Sequence, residues 1–174
     1  MRAMPITVTA LAAALVLLTA CTEEEGQDSD TKPKSTACTL DDVGIEVGPA
    51  SVAPAAGDTG DVPVGLTNQG AACTLDAFPE VRLVAGGESV ALSPTEGAQA
   101  QKLTLAKGDS ASFTITYVRG PEGAESLGAE TLEIGLPGDA ATKSFRWSYG
   151  PVAGKGGDKA TPDASVGAFQ QAGD

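Results

Sequence analysis

Apolar and polar residues alternate through the middle of the chain. Val43, Ile45 and Val47 form one such run, and Val62, Val64 and Leu66 another. Val81 and Leu83, then Leu103 and Leu105, follow, and Ala111, Phe113, Ile115 and Tyr117 make the longest run. Leu132, Ile134 and Leu136 come next, and Phe145 and Trp147 close the series. A period of two is that of a strand with one buried face. No stretch of useful length repeats every 3.6 residues, and no internal repeat is present. Turn formers punctuate the runs at short intervals, as in "NQG", "AGGE", "KGD" and "RGPEG". Short strands at this spacing predict an all-β fold, an antiparallel sandwich of about seven to eight strands over residues 37–150.

One hairpin can be registered from the sequence. "VRLVAGGESVAL" carries a two-residue Gly86-Gly87 turn in which both positions tolerate positive φ. Counting outwards pairs Ala85 with Glu88, Val84 with Ser89, Leu83 with Val90 and Val81 with Leu92. The last two pairs fall on one face, so turn and apolar pattern agree on the register. Lys107-Gly108-Asp109 reads as a second hairpin-type turn.

The two ends lack this pattern. Residues 21–36 are polar and acidic, too poor in apolar surface to fold alone, and are read as a tether. Sixteen flexible residues span about 22 Å on average and roughly 55 Å when fully extended. Residues 151–174, rich in glycine, alanine and proline, are read as a disordered tail. Its apolar residues stand singly, and Phe169 is taken for an exposed aromatic without a partner.

Charge narrows the partners. The 174 residues carry 11 basic and 23 acidic side chains and no histidine. Nucleic acid calls for a basic patch, so no nucleic-acid partner is expected.

The first residues place the protein. Arg2 gives a positive start, Ile6 to Leu18 is almost free of polar residues, and Leu18-Thr19-Ala20 leads into Cys21. The apolar run is short for a membrane span of about 20 residues and fits a secretory signal. Leu-Thr-Ala-Cys resembles the lipobox of bacterial lipoproteins. The resemblance implies that residues 1–20 are a cleaved lipoprotein signal peptide and that Cys21 carries diacylglycerol. The expected location is the outer face of the cytoplasmic membrane, held through the lipid anchor. Cleavage removes Arg2 and no acid, taking 11 basic residues to 10 against 23 acidic ones, and removes both methionines. An ordinary signal followed by a free cysteine, or a retained helix, would be the other readings.

With Cys21 lipidated, Cys38 and Cys73 remain as a pair in an oxidising compartment, where such pairs form disulfides. Closing a 36-residue loop stabilises by about 4 kcal/mol in the chain-entropy account. Two free thiols in a redox or metal site is the competing reading. It lacks a C-x-x-C spacing and a histidine.

The stretch from Thr36 to Val118 resembles a family of actinobacterial secreted proteins and lipoproteins, domain of unknown function 4232. The matching residues are "TAC" at Cys38, "LTNQGAACTLDAFPEVRLV" and "LTLAKGDSASFTITYV". Within them stand Asn68, Gly70, Cys73, Leu75, Phe78-Pro79 and Val81. A glycine often precedes the aromatic in this family, and Ala77 stands there in this chain. The resemblance implies an immunoglobulin-like β-sandwich on the cell exterior and no assigned activity. Each motif also has a structural explanation: Asn68 and Gly70 form turns, and Phe78-Pro79 caps the core and interrupts a strand edge.

Chemistry is mostly excluded. Without histidine there is no Ser-His-Asp arrangement, and no Ser-x-x-Lys occurs. Zinc and copper ligands are nearly lacking in the mature chain, and "AGGE" belongs to a hairpin rather than to a phosphate loop. Carboxylates such as Asp41-Asp42, or Asp76 with Glu80, would serve a hydrolase of cell-wall polymers, but neighbouring acids in turns are ordinary solvated surface. Calcium would suit oxygen ligands, yet no EF-hand spacing appears, and "DSD" at 28–30 lies in the tether. No catalytic residue, cofactor or metal site is therefore expected. The leading reading is a non-enzymatic binding or scaffolding module for an extracytoplasmic protein or cell-wall ligand. The carboxylate hydrolase and a spacer without a partner stand as alternatives. Phe78, Trp147 and Tyr149 are the aromatics to examine as contacts, although alternation with Phe145 places Trp147 in the core.

Overall fold

A computed structural model describes residues 36–172. The expected signal peptide at 1–20, Cys21 and the segment read as a tether, up to residue 35, lie outside the described residues. The strands run in chain order as β1 (Thr36–Ala37), β2 (Val43–Val47), β3 (Thr59–Asn68), β4 (Cys73–Leu75), β5 (Glu80–Ala85) and β6 (Glu88–Ala91). There follow β7 (Ser93–Pro94), β8 (Leu103–Leu105), β9 (Ser110–Val118), β10 (Ser126–Leu127) and β11 (Thr131–Gly135). The last are β12 (Thr142–Arg146), β13 (Val152–Lys155), β14 (Asp158–Pro162), β15 (Ala164–Val166) and β16 (Gln170–Gln171). Described residues are all-β, without helix, as the period-two runs predict. Among the described residues the strands number 16 rather than seven or eight because many are two- or three-residue pairings.

Two sheets carry the core. The larger has the order β2-β3-β9-β15-β7, with β16 also against β9. At its centre β3 and β9 pair antiparallel from Thr59 opposite Val118 to Thr67 opposite Ser110. Val62, Val64 and Leu66 point inwards on β3, and Ala111, Phe113, Ile115 and Tyr117 do so on β9. Thr, Ser, Asp and Pro take the other face, so strict alternation sorts the chain into a wet side and a dry side. Pro63 is tolerated inside β3 because its missing N–H lies on the side where β2 leaves the ladder; its carbonyl accepts the Gly48 N–H at 2.8 Å. The second sheet has the order β12-β11-β5-β6. Its Val81, Leu83, Leu132 and Ile134 join the same hydrophobic cluster.

The β5–β6 hairpin has the register read from the sequence, Ala85 opposite Glu88 through Arg82 opposite Ala91. The Leu92 N–H donates to the Val81 carbonyl at 2.8 Å, and Gly86 and Gly87 have φ of 58° and 85°. The Lys107-Gly108-Asp109 turn is not a hairpin. It connects β8, which pairs with β4, to β9, which pairs with β3, and so passes the chain between sheets.

A small third sheet, β1-β4-β8, sits where the described chain begins. Cys38 and Cys73 are disulfide-bonded there and are both buried. The same end is knotted by Asn68, which is fully buried. Its Nδ2 donates to the carbonyls of Ala71 (2.8 Å), Leu105 (3.0 Å) and Ala106 (3.2 Å), and its Oδ1 accepts the Gly70 N–H (3.0 Å). Its backbone bonds Asp109 and Gly108. Asp139 ties down a further loop by accepting the N–H groups of Leu40 (2.7 Å) and Ala141 (3.0 Å). These bonds, that from Leu40 foremost, hold its carboxyl below the usual carboxylate value.

Residues 151–172 overturn the reading of a disordered tail. They supply β13 and β14, joined by a Gly156-Gly157 turn, and β15 and β16, which extend the main sheet along β9. Val152, Ala164 and Val166 are buried, and Phe169 is 2 % exposed. Phe169 stacks edge-on against Phe113 at 5.6 Å between ring centroids, so it is a core residue and not a solvent-facing aromatic. Val152 and Phe169 fill the core singly, and Ala164 and Val166 alternate over only three residues, too short a run to mark a strand in the sequence.

Two substitutions test this account. Phe169→Ala should cost about 3–5 kcal/mol in urea unfolding, the range for emptying a buried aromatic site, whereas an undocked tail would leave the midpoint unchanged. Asn68→Asp keeps the shape but turns carboxylate oxygen towards three carbonyls. It should cost at least about 3 kcal/mol in the same measurement, more than an asparagine-to-alanine change at an exposed turn would.

Candidate functional site

At the end of the sandwich away from Asn68, three aromatic rings meet. The Tyr117 and Trp147 centroids are 5.1 Å apart, and those of Trp147 and Tyr149 are 4.9 Å apart, both edge-on. The Tyr117 hydroxyl donates to the Tyr149 carbonyl (2.9 Å) and accepts the Ala53 N–H (3.3 Å). Gly60 makes room for this ring: a Cβ there would lie 2.6 Å from Tyr117 Cε1. Trp147 is 4 % exposed and donates its Nε1–H to the Gly150 carbonyl at 2.7 Å. Of the aromatics singled out in the sequence, Trp147 is therefore core and offers no surface contact. Tyr149 is half-buried at the rim of the cluster. Burial, with Tyr117 alongside, raises its phenol above the ordinary value.

Phe78 lies elsewhere, in the corner between β4 and β5. The strands fix both ends of this corner, and Pro79 is buried in it. Ala77 bends the chain with φ of +116°, a conformation that favours glycine. Among the described residues it is the one non-glycine residue with positive φ. The bend sets Phe78, half-buried, beside a depression of about 420 Å³. Pro79, Val81 and Leu92 form its apolar floor, and Glu80 and Arg82 stand exposed around it. Backbone strain of this kind costs about 1–3 kcal/mol and persists only where the surroundings impose it.

A second depression, of about 310 Å³, opens beside the Gly86-Gly87 turn, between Glu88 and Val90 on one side and Lys159 and Ala160 on the other. The Oγ of Ser126, which is buried and lines this depression, has no hydrogen-bond partner within the protein. No sign of it stands in the residues, because β14 lies in the segment read as a tail.

The carboxylates weighed for hydrolysis have local partners. Asp42 accepts the Thr39 hydroxyl at 3.1 Å, and Asp76 pairs with Lys102 at 3.3 Å on the exposed surface. Among the described residues no three His, Cys, Asp or Glu side chains gather as a metal-holding group.

Ala77→Gly should raise stability by about 1 kcal/mol, the relief of left-handed strain less the entropy that glycine adds to the unfolded chain. The urea midpoint checks this; an unchanged or lowered midpoint would mean that Ala77 is not strained.

No curated protein matches the chain. A family model does, over residues 38–170, from the first bridged cysteine to the start of β16. The match takes in the last strands as well as the stretch up to Val118 that carries the resemblance. It spans well over half of the 174 residues, and the chain belongs to the family described as domain of unknown function (DUF4232).

Proposed function

We propose that the protein is a lipid-anchored, extracytoplasmic, non-enzymatic binding or scaffolding module. The observation that carries the binding reading is the Ala77–Phe78 corner. There the fold holds an alanine in a glycine conformation, and an aromatic ring stands half-buried beside an apolar depression. Strained backbone clusters at ligand-clamping sites, and loops held by a rigid scaffold carry recognition. The location rests on the lipobox-like Leu18-Thr19-Ala20-Cys21, and the Cys38–Cys73 disulfide supports an oxidising compartment. The lipid would attach at Cys21, leaving the tether to hold the sandwich off the membrane.

Intact-mass measurement of membrane-extracted protein tests location and bridge together. The expected mass is that of residues 21–174 plus acylated glyceride, gaining two hydrogens on reduction. Cys21→Ser should release the protein from the membrane fraction. An unacylated, water-soluble native protein would refute the anchor. For binding, crosslinking on whole cells should yield a partner that Phe78→Ala loses while the folded protein persists at the surface.

A further inference from the structure

We infer that the depression between the β5–β6 hairpin and β14 is a binding site for a small neutral ligand, one with a compact apolar body and a single hydrogen-bonding group. It shares no lining residue with the depression at the Ala77–Phe78 corner, and goes beyond the reading built on that corner. Three stretches distant in the chain meet there: the hairpin at residues 85–90, β10 with Gly128, and β14 at Lys159 and Ala160. β10 and β14 belong to one small sheet, β10-β13-β14, so this sheet forms one wall and the hairpin the other. The volume of about 310 Å³ lies at the lower end of the range for small-molecule sites.

Ser126 carries the inference. It lines the depression, is 4 % exposed, and its Oγ has no hydrogen-bond partner within the protein. Among the described residues it is the one buried side-chain polar atom in that state. Asn68 and Thr74, the other buried polar residues, are bonded. Gly120 leaves the hydroxyl room, since a Cβ there would collide with Oγ. An unpaired buried hydroxyl weakens the fold, and an alanine of nearly the same shape would not. Such a group is accounted for when a ligand supplies its partner.

The surroundings select the ligand. Ala85, Val90, Leu127 and Ala160 line the depression with apolar side chains. A buried water makes about three hydrogen bonds, and these side chains offer it none beyond the serine. A ligand with an apolar body suits the walls, and one carbonyl or hydroxyl on it suits the Oγ. A charged group is disfavoured. Glu88 and Lys159, the charged residues that line the depression, are both exposed, and neither is in an ion pair among the described residues. Water screens them, so an ion brought to Ser126 would lose its hydration without a buried counter-charge. Gly86 and Gly128 keep the depression wide, for a Cβ at either meets no atom within 4 Å.

The probe is isobutyramide, a branched apolar body with one neutral amide. It is titrated into the full mature chain carrying Cys21→Ser, which keeps acyl chains out of the measurement. The amide resonances of Ser126, Leu127 and Ala160 should shift together and saturably. Isobutyrate, of the same shape but charged, should bind at least about tenfold more weakly. Ser126→Ala removes one hydrogen bond to the probe and should weaken its binding about fivefold. The same change should raise the urea midpoint of the ligand-free protein, because an unpaired hydroxyl is gone. Ala160→Phe, at an exposed position, fills the depression and should abolish the shifts. Four results would overturn the proposal: no saturable shift of these resonances, equal binding of isobutyrate, shifts that survive both substitutions, or a lowered urea midpoint for Ser126→Ala. The last would mean that the hydroxyl already has a partner in the free protein.

Discussion

The ladder between β3 and β9 is the constraint from which the rest of the molecule follows. It fixes which residues of the two longest strands face inwards, and every other core residue is placed against that stripe. β2 attaches to one side and β15 and β16 to the other. Burying each large apolar side chain contributes about 1.5–3 kcal/mol, so the run from Val62 to Leu66 facing Ala111 to Tyr117 outweighs any single surface pairing. The exposed Lys102–Asp76 pair, by contrast, belongs to a class worth about 0–1 kcal/mol.

The two ends of this ladder are finished by different physics. At the Asn68 end the work is polar and covalent: one amide satisfies four backbone groups of the adjoining loops, and the Cys38–Cys73 bridge shortens the unfolded chain. At the Tyr117 end it is aromatic. Three rings pack edge to face, and the polar tips of Tyr117 and Trp147 are spent on backbone carbonyls. A domain with few aromatics has placed three of them where the sheets would otherwise gape.

Much of this was legible in the residues. Period-two runs located the long strands, and Gly86-Gly87 with the flanking valines and leucines fixed one register to the residue. The tail was misread although its turn is written in the same letters: Gly156-Gly157 between Lys155 and Asp158 makes the same two-residue connection. The difference lies in the flanks. β14 is exposed along nearly its whole length, so no apolar alternation betrays it. Val152 and Phe169 enter the core singly, a lone apolar residue has no period, and the Ala164–Val166 alternation is only three residues long. The site was legible only in part. The aromatic-proline pair marked Phe78, but Ala77 could not announce its positive φ, since a local alanine preference points elsewhere and only the fold overrides it. Trp147 followed its alternation into the core.

The path of the last strand has an architectural consequence. β16 runs beside the start of β9, and the Ala172 N–H bonds the Ser110 carbonyl, while β1 lies against Cys73. Entry and exit of the sandwich thus share one pole. Such a domain can be spliced into a loop of a host protein as a cassette with short linkers, because the chain leaves β16 beside the strand by which it enters.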